Sequence, residues 1–442
     1  MDAADYGVVA DGVTDDTAAW QGAIDAVSLA GGGTLCFPPT GDATVISGPI
    51  VFGGQVGLWG TATRFLPPNA RKACLFLTED DGAVVFGDHG AGGDTATGPK
   101  SGNFSIDGTN GGDPTGLFKS LLTLERLFEG VNLYNAPGDA FLVEESQNCQ
   151  FVRISSNQAA QDGLVIDKGA GGLLFSGFEF AGSGRDGISI KANAGQPGTF
   201  GSNPSHITFQ HGIAEYANQT SGTFRNCVRA AAGGRVVFDN CAFGATGVNG
   251  TDGYVLRLED ADLVLRDTEV DGNHQTTGAG LVYAKNCRLA LTGSPRFIVA
   301  PTVFTFDTAI TLLADRVPYT SNTGTLFTLT NGASLGASQI NGPSGAVSVA
   351  AAGAFAYDPV AYSYMTAVVT ANATSGNLAA GLFPGHRFTL AAYQSAGSAT
   401  FALPSNVAWA GAAPVLGSVA GSYLAATVIW DGSNWLEVSR AG

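Results

Sequence analysis

Short apolar segments return along the middle of this chain at intervals that no hairpin or helix bundle produces. Matched positions step from Phe175 to Phe209, Phe238, Leu265 and Leu289, at spacings of 34, 29, 27 and 24 residues. A second series, Asp139-Ala-Phe-Leu-Val143, Asp162-Gly-Leu-Val-Ile166 and Asp186-Gly-Ile-Ser-Ile190, is offset by 23 and 24 residues. A single short strand cannot bury its own apolar side, so such periods predict coils that stack, each covering the next. The spacing varies because residues are inserted in the connections, as at 191–204 and 244–253, and such insertions decorate one face of a solenoid. After about Ala300 the repeat fades. Thr325-Leu-Phe-Thr-Leu329 and Ala346-Val-Ser-Val-Ala350 are the last segments that read as coils.

Composition agrees with strands joined by many turns: 63 residues are glycine and only 13% are charged. The net charge of −16 argues against nucleic acid or an anionic membrane surface as partner. No run approaches the ~20 apolar residues of a membrane span, and the first residues lack the basic and apolar regions of a signal peptide. Four of the six cysteines, Cys149, Cys227, Cys241 and Cys287, each follow an asparagine. Asn tolerates the left-handed turn conformation and a free thiol packs as a small hydrophobe. The pairs therefore predict coil corners with reduced, buried thiols rather than disulfides or a zinc site.

The chain opens on a turn, Asp11-Gly12, then Thr14, Asp15 and Asp16, which suit the first turn of a helix by their acceptor side chains and charge. Trp20, Ile24 and Val27 fall on one face of that helix, Gly31-Gly32-Gly33 ends it, and Thr34–Pro39 reads as a strand with its stop. Beyond about 355 the pattern changes. Residues 356–442 predict a separate set of strands, ending in the hairpin Val428–Val438 with Asp431-Gly432 at its turn.

Asp5-Tyr6-Gly7, Ala10-Asp11-Gly12, Thr14-Asp15-Asp16-Thr17, Ile24 and the run Gly31–Pro38 together resemble the N-terminal signature of the pectate-lyase-like right-handed β-helix superfamily, especially bacteriophage tailspikes and polysaccharide depolymerases. The resemblance implies an all-β fold: a right-handed parallel β-helix over 1–355, with a capping segment at 1–40 that carries the helix, coils over about 41–355, and a small C-terminal β-sandwich over 356–442. It makes the opening motif structural, because the short helix covers the open end of the coil. It further implies a homotrimeric virion spike or tail fibre, made in the host cytoplasm. Such a spike recognises and cleaves host surface polysaccharide, capsule or lipopolysaccharide, and is held by a tail or capsid adaptor protein or by its own cap. The alternative is a non-catalytic receptor-binding spike of a phage or gene-transfer-agent particle.

Chemistry has two candidate seats. Asp139, Asp162 and Asp186 occupy one place in three successive coils, where strands lie about 4.8 Å apart. Two like charges at ~5 Å repel by ~3 kcal/mol at an effective dielectric near 20, enough to keep one carboxyl protonated. A glycosidase needs such a split pair, whereas Asp-Gly as a mere corner is the competing explanation. Glu179 and Glu215 follow core strands and point outward between apolar neighbours, Glu215 beside Tyr216 and shortly after His211. The catalytic candidates are Asp162, Glu179, Asp186 and Glu215; Arg185, Lys191, Tyr216 and His211 are the substrate-binding candidates. An elimination route would need a base and a cation for the uronate, for which Arg185, Lys191, Arg225 and Arg229 are the available groups. Asp267, Glu269 and Asp271 alternate along one strand as a solvated face, and neither a metal nor another cofactor is expected. A glycoside hydrolase is favoured over a lyase.

Overall fold

The recurring strands of the repeat pair in register, three to a coil. The structure is a computed structural model that describes residues 1–38, 42–53, 55–60, 74–87, 99–191, 204–215, 226–231, 234–244, 254–272, 280–298, 302–314, 325–335, 339–340, 346–355, 357, 359, 364–378, 386–395, 399–417 and 419–441. In one coil Phe141–Glu144 lies in the first sheet, Gln150–Val152 in the second and Ser155–Asn157 in the third. Each pairs in parallel with its equivalents one coil before and one coil after. The spacing of the second series is the register of the first sheet, Phe141↔Leu164↔Ile188. That of the aromatic series is the register of the second, Phe175↔Phe209↔Phe238↔Leu265. The result is an all-β parallel solenoid with an N-terminal helix.

Stacking of identical positions builds the interior. Phe128, Phe151, Phe175, Phe209 and Phe238 form a column with ring centroids 5.1, 4.7, 4.8 and 4.8 Å apart and interplanar angles of at most 21°. From Asn103 onward the bend between the second and third sheets is a single residue at positive φ: Asn103, Gly130, Arg153, Gly177, His211, Asn240, Asp267 and Gly293. Gly, Asn and Asp suit that conformation; Arg153 and His211 hold it against their side chains. The Asn-Cys pairs do sit at bends, with Cys149, Cys227, Cys241 and Cys287 buried and in no disulfide. They do not form one repeat, however. Asn148 precedes a second-sheet strand, Asn240 follows one and Asn286 lies within the strand Gly280–Thr292, all at positive φ, whereas Asn226 is outside the positive-φ set and precedes a first-sheet strand.

The helix spans Thr17–Leu29 and buries Trp20, Ala23, Ile24 and Val27, with Trp20 edge-on to Phe37 and Phe76 at 5.2 and 5.3 Å. Thr14, Asp15 and Asp16 lie ahead of its first turn rather than in it. Asp15 still serves the helix start, accepting the N–H of Thr17, while the other acceptors bond outside the helix. Asp16 accepts the N–H groups of Val9 and Ala10, Asp11 those of Val13 and Thr14, and Asp15 accepts from Thr17 and from Ser47 in the next segment. The opening motif thus ties the cap to the first coil.

The chain divides into two compact units, Met1–Cys287 with Arg296–Thr305 and Ser321–Thr328, and Arg288–Pro295 with Phe306–Thr320 and Leu329–Gly442. The small C-terminal sheet is sandwich-like and mixed: Ala346–Phe355, Tyr364–Ser375 and Arg387–Gln394 run parallel, and Tyr423–Trp430 and Trp435–Ala441 follow antiparallel. Ala346–Phe355, expected as a coil ahead of a division at 355, is the first strand of this sheet: its backbone pairs with Tyr364–Ser375. Its core gathers Phe388, Leu390, Val428 and Trp435, and the expected hairpin turn is held by Asp431, which accepts from Ser433 and Asn434.

Candidate functional site

The stacked aspartates form the corner between the third and first sheets. Asp139 Oδ1 accepts the N–H of Asp162 at 3.0 Å, and Asp162 Oδ1 accepts that of Asp186 at 3.0 Å. Asp186 Oδ1 accepts both the N–H and the side-chain amide of Asn226, at 2.8 and 3.1 Å. The bonds run to the next coil rather than to local backbone, so this is a ladder of side chains, not a series of isolated turns. Arg185 lies over it, its Nε and Nη2 donating to the two oxygens of Asp162 at 2.9 and 2.6 Å and its Nη2 to Asp139 at 3.2 Å. All three carboxyls are buried. Burial, then the charge of Asp162, pushes Asp139 up and holds Asp186 at about 7. Lys191 stands at the end of the adjoining first-sheet strand, its N–H bonded to Ile166. Arg185 is therefore engaged by the corner itself.

Glu179 and Glu215 are elsewhere, on the outer face of the third sheet. Their strands, Glu179–Ala181 and Ile213–Glu215, are neighbours with Glu179 opposite Ile213 and Ala181 opposite Glu215. Glu179 is exposed and Glu215 half-buried. Partial burial, and the charge of Glu179, raise the Glu215 carboxyl above its ordinary value. Their floor is small or apolar: Ala181 and Gly244 flank Glu215 along one column, and Ile213, 42% exposed, lies between Glu179 and Ala242 in the other. The Glu215 column continues back through Asn157 and Tyr134, both facing outward. His211 occupies the bend two residues before Ile213, exposed at the margin of this face.

The eight candidates thus separate into two groups. Asp162, Asp186, Arg185 and Lys191 gather around the corner; Glu179, Glu215 and His211 gather on the third sheet; Tyr216 lies outside the described residues, as do Arg225 and the insertions 192–203 and 245–253. Sequence reasoning missed Asn226, the fourth rung of the ladder, because 40 residues rather than 23 or 24 separate it from Asp186. It also missed Tyr134 and Asn157, whose place on the Glu215 column emerges only once the register is known. Of the acidic trio, Asp267 is a bend residue and Glu269 pairs with Arg296 at 3.1 Å; Glu269 and Asp271 share a strand. Among the described residues no three potential ligands converge on a metal position.

No protein-family model and no curated protein sequence matches the chain. Solved structures do. The tailspike of Acinetobacter phage vb_AbaP_AS12 superposes with a TM-score of 0.58 at 11% identity, over 100% of this chain and 81% of that one. The A-module of a mannuronan C-5 epimerase from Azotobacter vinelandii gives a TM-score of 0.50 at 14% identity, over 77% of this chain and all of that one. At such identities the likeness is one of fold.

Proposed function

We propose that the protein is a polysaccharide-binding and polysaccharide-cleaving spike of a virus particle, with Glu179 and Glu215 as its paired carboxyls. The observation that carries the reading is this pair: two carboxyls on an open face, one of which, Glu215, is raised above its ordinary pKa by partial burial and by the charge of the other. Adjacent strands lie about 4.8 Å apart with a rise of about 3.3 Å per residue, so an offset of two residues puts the α-carbons about 8 Å apart. Side chains extended alike preserve that separation, within the roughly 6.5–9.5 Å that admits a water between acid and base and inverts the anomeric centre.

In this mechanism Glu215 donates its proton to the glycosidic oxygen as the C–O bond breaks. Glu179 takes a proton from water, which attacks the anomeric carbon from the opposite side. The products are two shorter chains, one with a new reducing end, and the proton inventory closes when Glu179 returns its proton through solvent. Ile213 and Ala181 give the sugar ring an apolar floor. The likeness in fold to a phage tailspike supports the particle setting.

Incubation with capsule or lipopolysaccharide from candidate hosts tests the reading. Wild-type protein is expected to release oligosaccharides with new reducing ends and without the ultraviolet absorbance of an unsaturated uronate. Glu215→Gln and Glu179→Gln are each expected to lower turnover by at least 10²-fold while retaining glycan binding and thermal stability. Full activity in both variants places the chemistry elsewhere. Binding without turnover by the parent makes the protein an adhesin.

A further inference from the structure

The corner ladder holds three stacked carboxyls and one guanidinium. Arg185 reaches Asp139 and Asp162. Asp186, 2% exposed, is bonded instead to the neutral Asn226, the residue at the equivalent place one coil on. Asn226 continues the chain of bonds by accepting the N–H of Tyr254 at 3.3 Å. An amide therefore serves as a rung without any charge, and the one arginine is spent on the first two. We propose that Asp186 is the protonated rung of this corner and that its proton acts as a latch: bound, it clamps the coils from Asp139 to Tyr254, and lost, it opens the ladder at Asp186, where the repulsion from Asp162 and the cost of burial drive the carboxylate toward water.

The physical argument is electrostatic. An ionised Asp186 would face the Asp162 carboxylate one rung away, with Asp139 beyond it, in a site closed to water. Opposite charge comes from Arg185 on the corner itself and from Arg229 and Lys191 on the first-sheet strands, and the two aspartates already engage Arg185. The two bonds from Asn226 favour the ionised form, but burial and the charge of Asp162 outweigh them; protonated, the carboxyl keeps an oxygen for Asn226 and drops the repulsion. Ionised, it is relieved by hydration, which requires the rung to part. The corner joins the strand of Glu179 to the first-sheet strand 188–190, so the latch also sets how firmly that part of the third-sheet face is held.

Hydrogen exchange of the full chain, corrected for intrinsic rates, tests this across pH 6 to 8. The expected result is about a tenfold loss of protection at the amides of Asp186 and Asn226, the fall that one titrating carboxyl near neutrality imposes. Amides of the Phe151–Phe175 stack are expected to hold steady. Asp186→Asn should keep the rung and flatten the pH dependence, as Asn226 does naturally. Asn226→Asp, which adds a fourth carboxyl, should steepen it even if Asp186→Asn folds poorly. Protection at Asp186 and Asn226 that is independent of pH in the wild type, or a slope that survives in Asp186→Asn, overturns the latch. Neither outcome bears on Glu215, whose variants are read by turnover.

Discussion

At the scale of single residues Arg126 is a charged exception to the apolar interior of the solenoid. Arg126 is buried, its guanidinium 4.7 Å from the ring of Phe86 and 5.8 Å from that of Phe128, with Nη2 donating to the carbonyl of Val56. Burial lowers its pKa to about 10, so it remains charged at neutral pH. Its place explains its use. The second-sheet strand Val56–Trp59 meets the next one only at Trp59↔Gly102, and Arg126 supplies a donor to Val56 that the sheet does not. Arg126→Ala removes that donor and the packing against two rings together. A loss of about 3 kcal/mol is expected in urea unfolding, and a change under 1 kcal/mol would show the carbonyl to be satisfied in another way.

At the scale of elements, the coil is specified by repetition rather than by strand length. Many strands have only three or four residues, so each draws its stability from identical neighbours. Phe175 sits in mid-column between Phe151 and Phe209. Phe175→Ala should therefore cost about 3–5 kcal/mol, and Phe175→Leu much less; equal costs would mean that ring stacking, which leucine cannot restore, outweighs the burial that it does restore. The same repetition made the fold legible in sequence. Phe175, Phe209 and Phe238 could be aligned by eye because each coil must return to one column, and Trp20, Ile24 and Val27 announced the cap. The site was legible only in part. Asp139, Asp162 and Asp186 were recognisable as stacked, but whether the stack was chemistry or corner depended on Arg185 and on backbone donors one coil away. Glu179 and Glu215 could be named, but not their offset, which follows from the register across the 192–203 insertion. The end of the coils was hidden as well: Ala346–Phe355 has strand-like residues in either setting, and pairing alone assigns it to the C-terminal sheet.

At the scale of the whole molecule, the chain carries −16 and yet exposes apolar side chains on its C-terminal unit: Val415, Val419, Tyr423 and Val438. Scattered apolar exposure is ordinary, but together with the proposed spike it predicts self-association. Light scattering at micromolar concentration is expected to give three times the chain mass, and a monomer would count against the spike. The two compact units should also answer pH in opposite senses. In the first, Asp186 is held at about 7 against 3.8 when free, so the folded form binds the extra proton. Its stabilising contribution is complete below pH 3.8 and is lost as pH rises through 7. In the second, His386 is buried and its pKa is lowered by burial to about 4 from 6.5, so the unfolded form binds the extra proton. That contribution is complete above pH 6.5 and is lost as pH falls through 4. Scanning calorimetry from pH 4 to 8 is therefore expected to show the two components moving oppositely, the His386 component weakening toward acid and the Asp186 component toward base. His386→Phe should remove the acid limb alone, because a phenyl ring keeps the apolar contact with Trp435, 5.5 Å away, and cannot take a proton. An acid limb that persists in this variant would assign the titration to another group of the C-terminal unit.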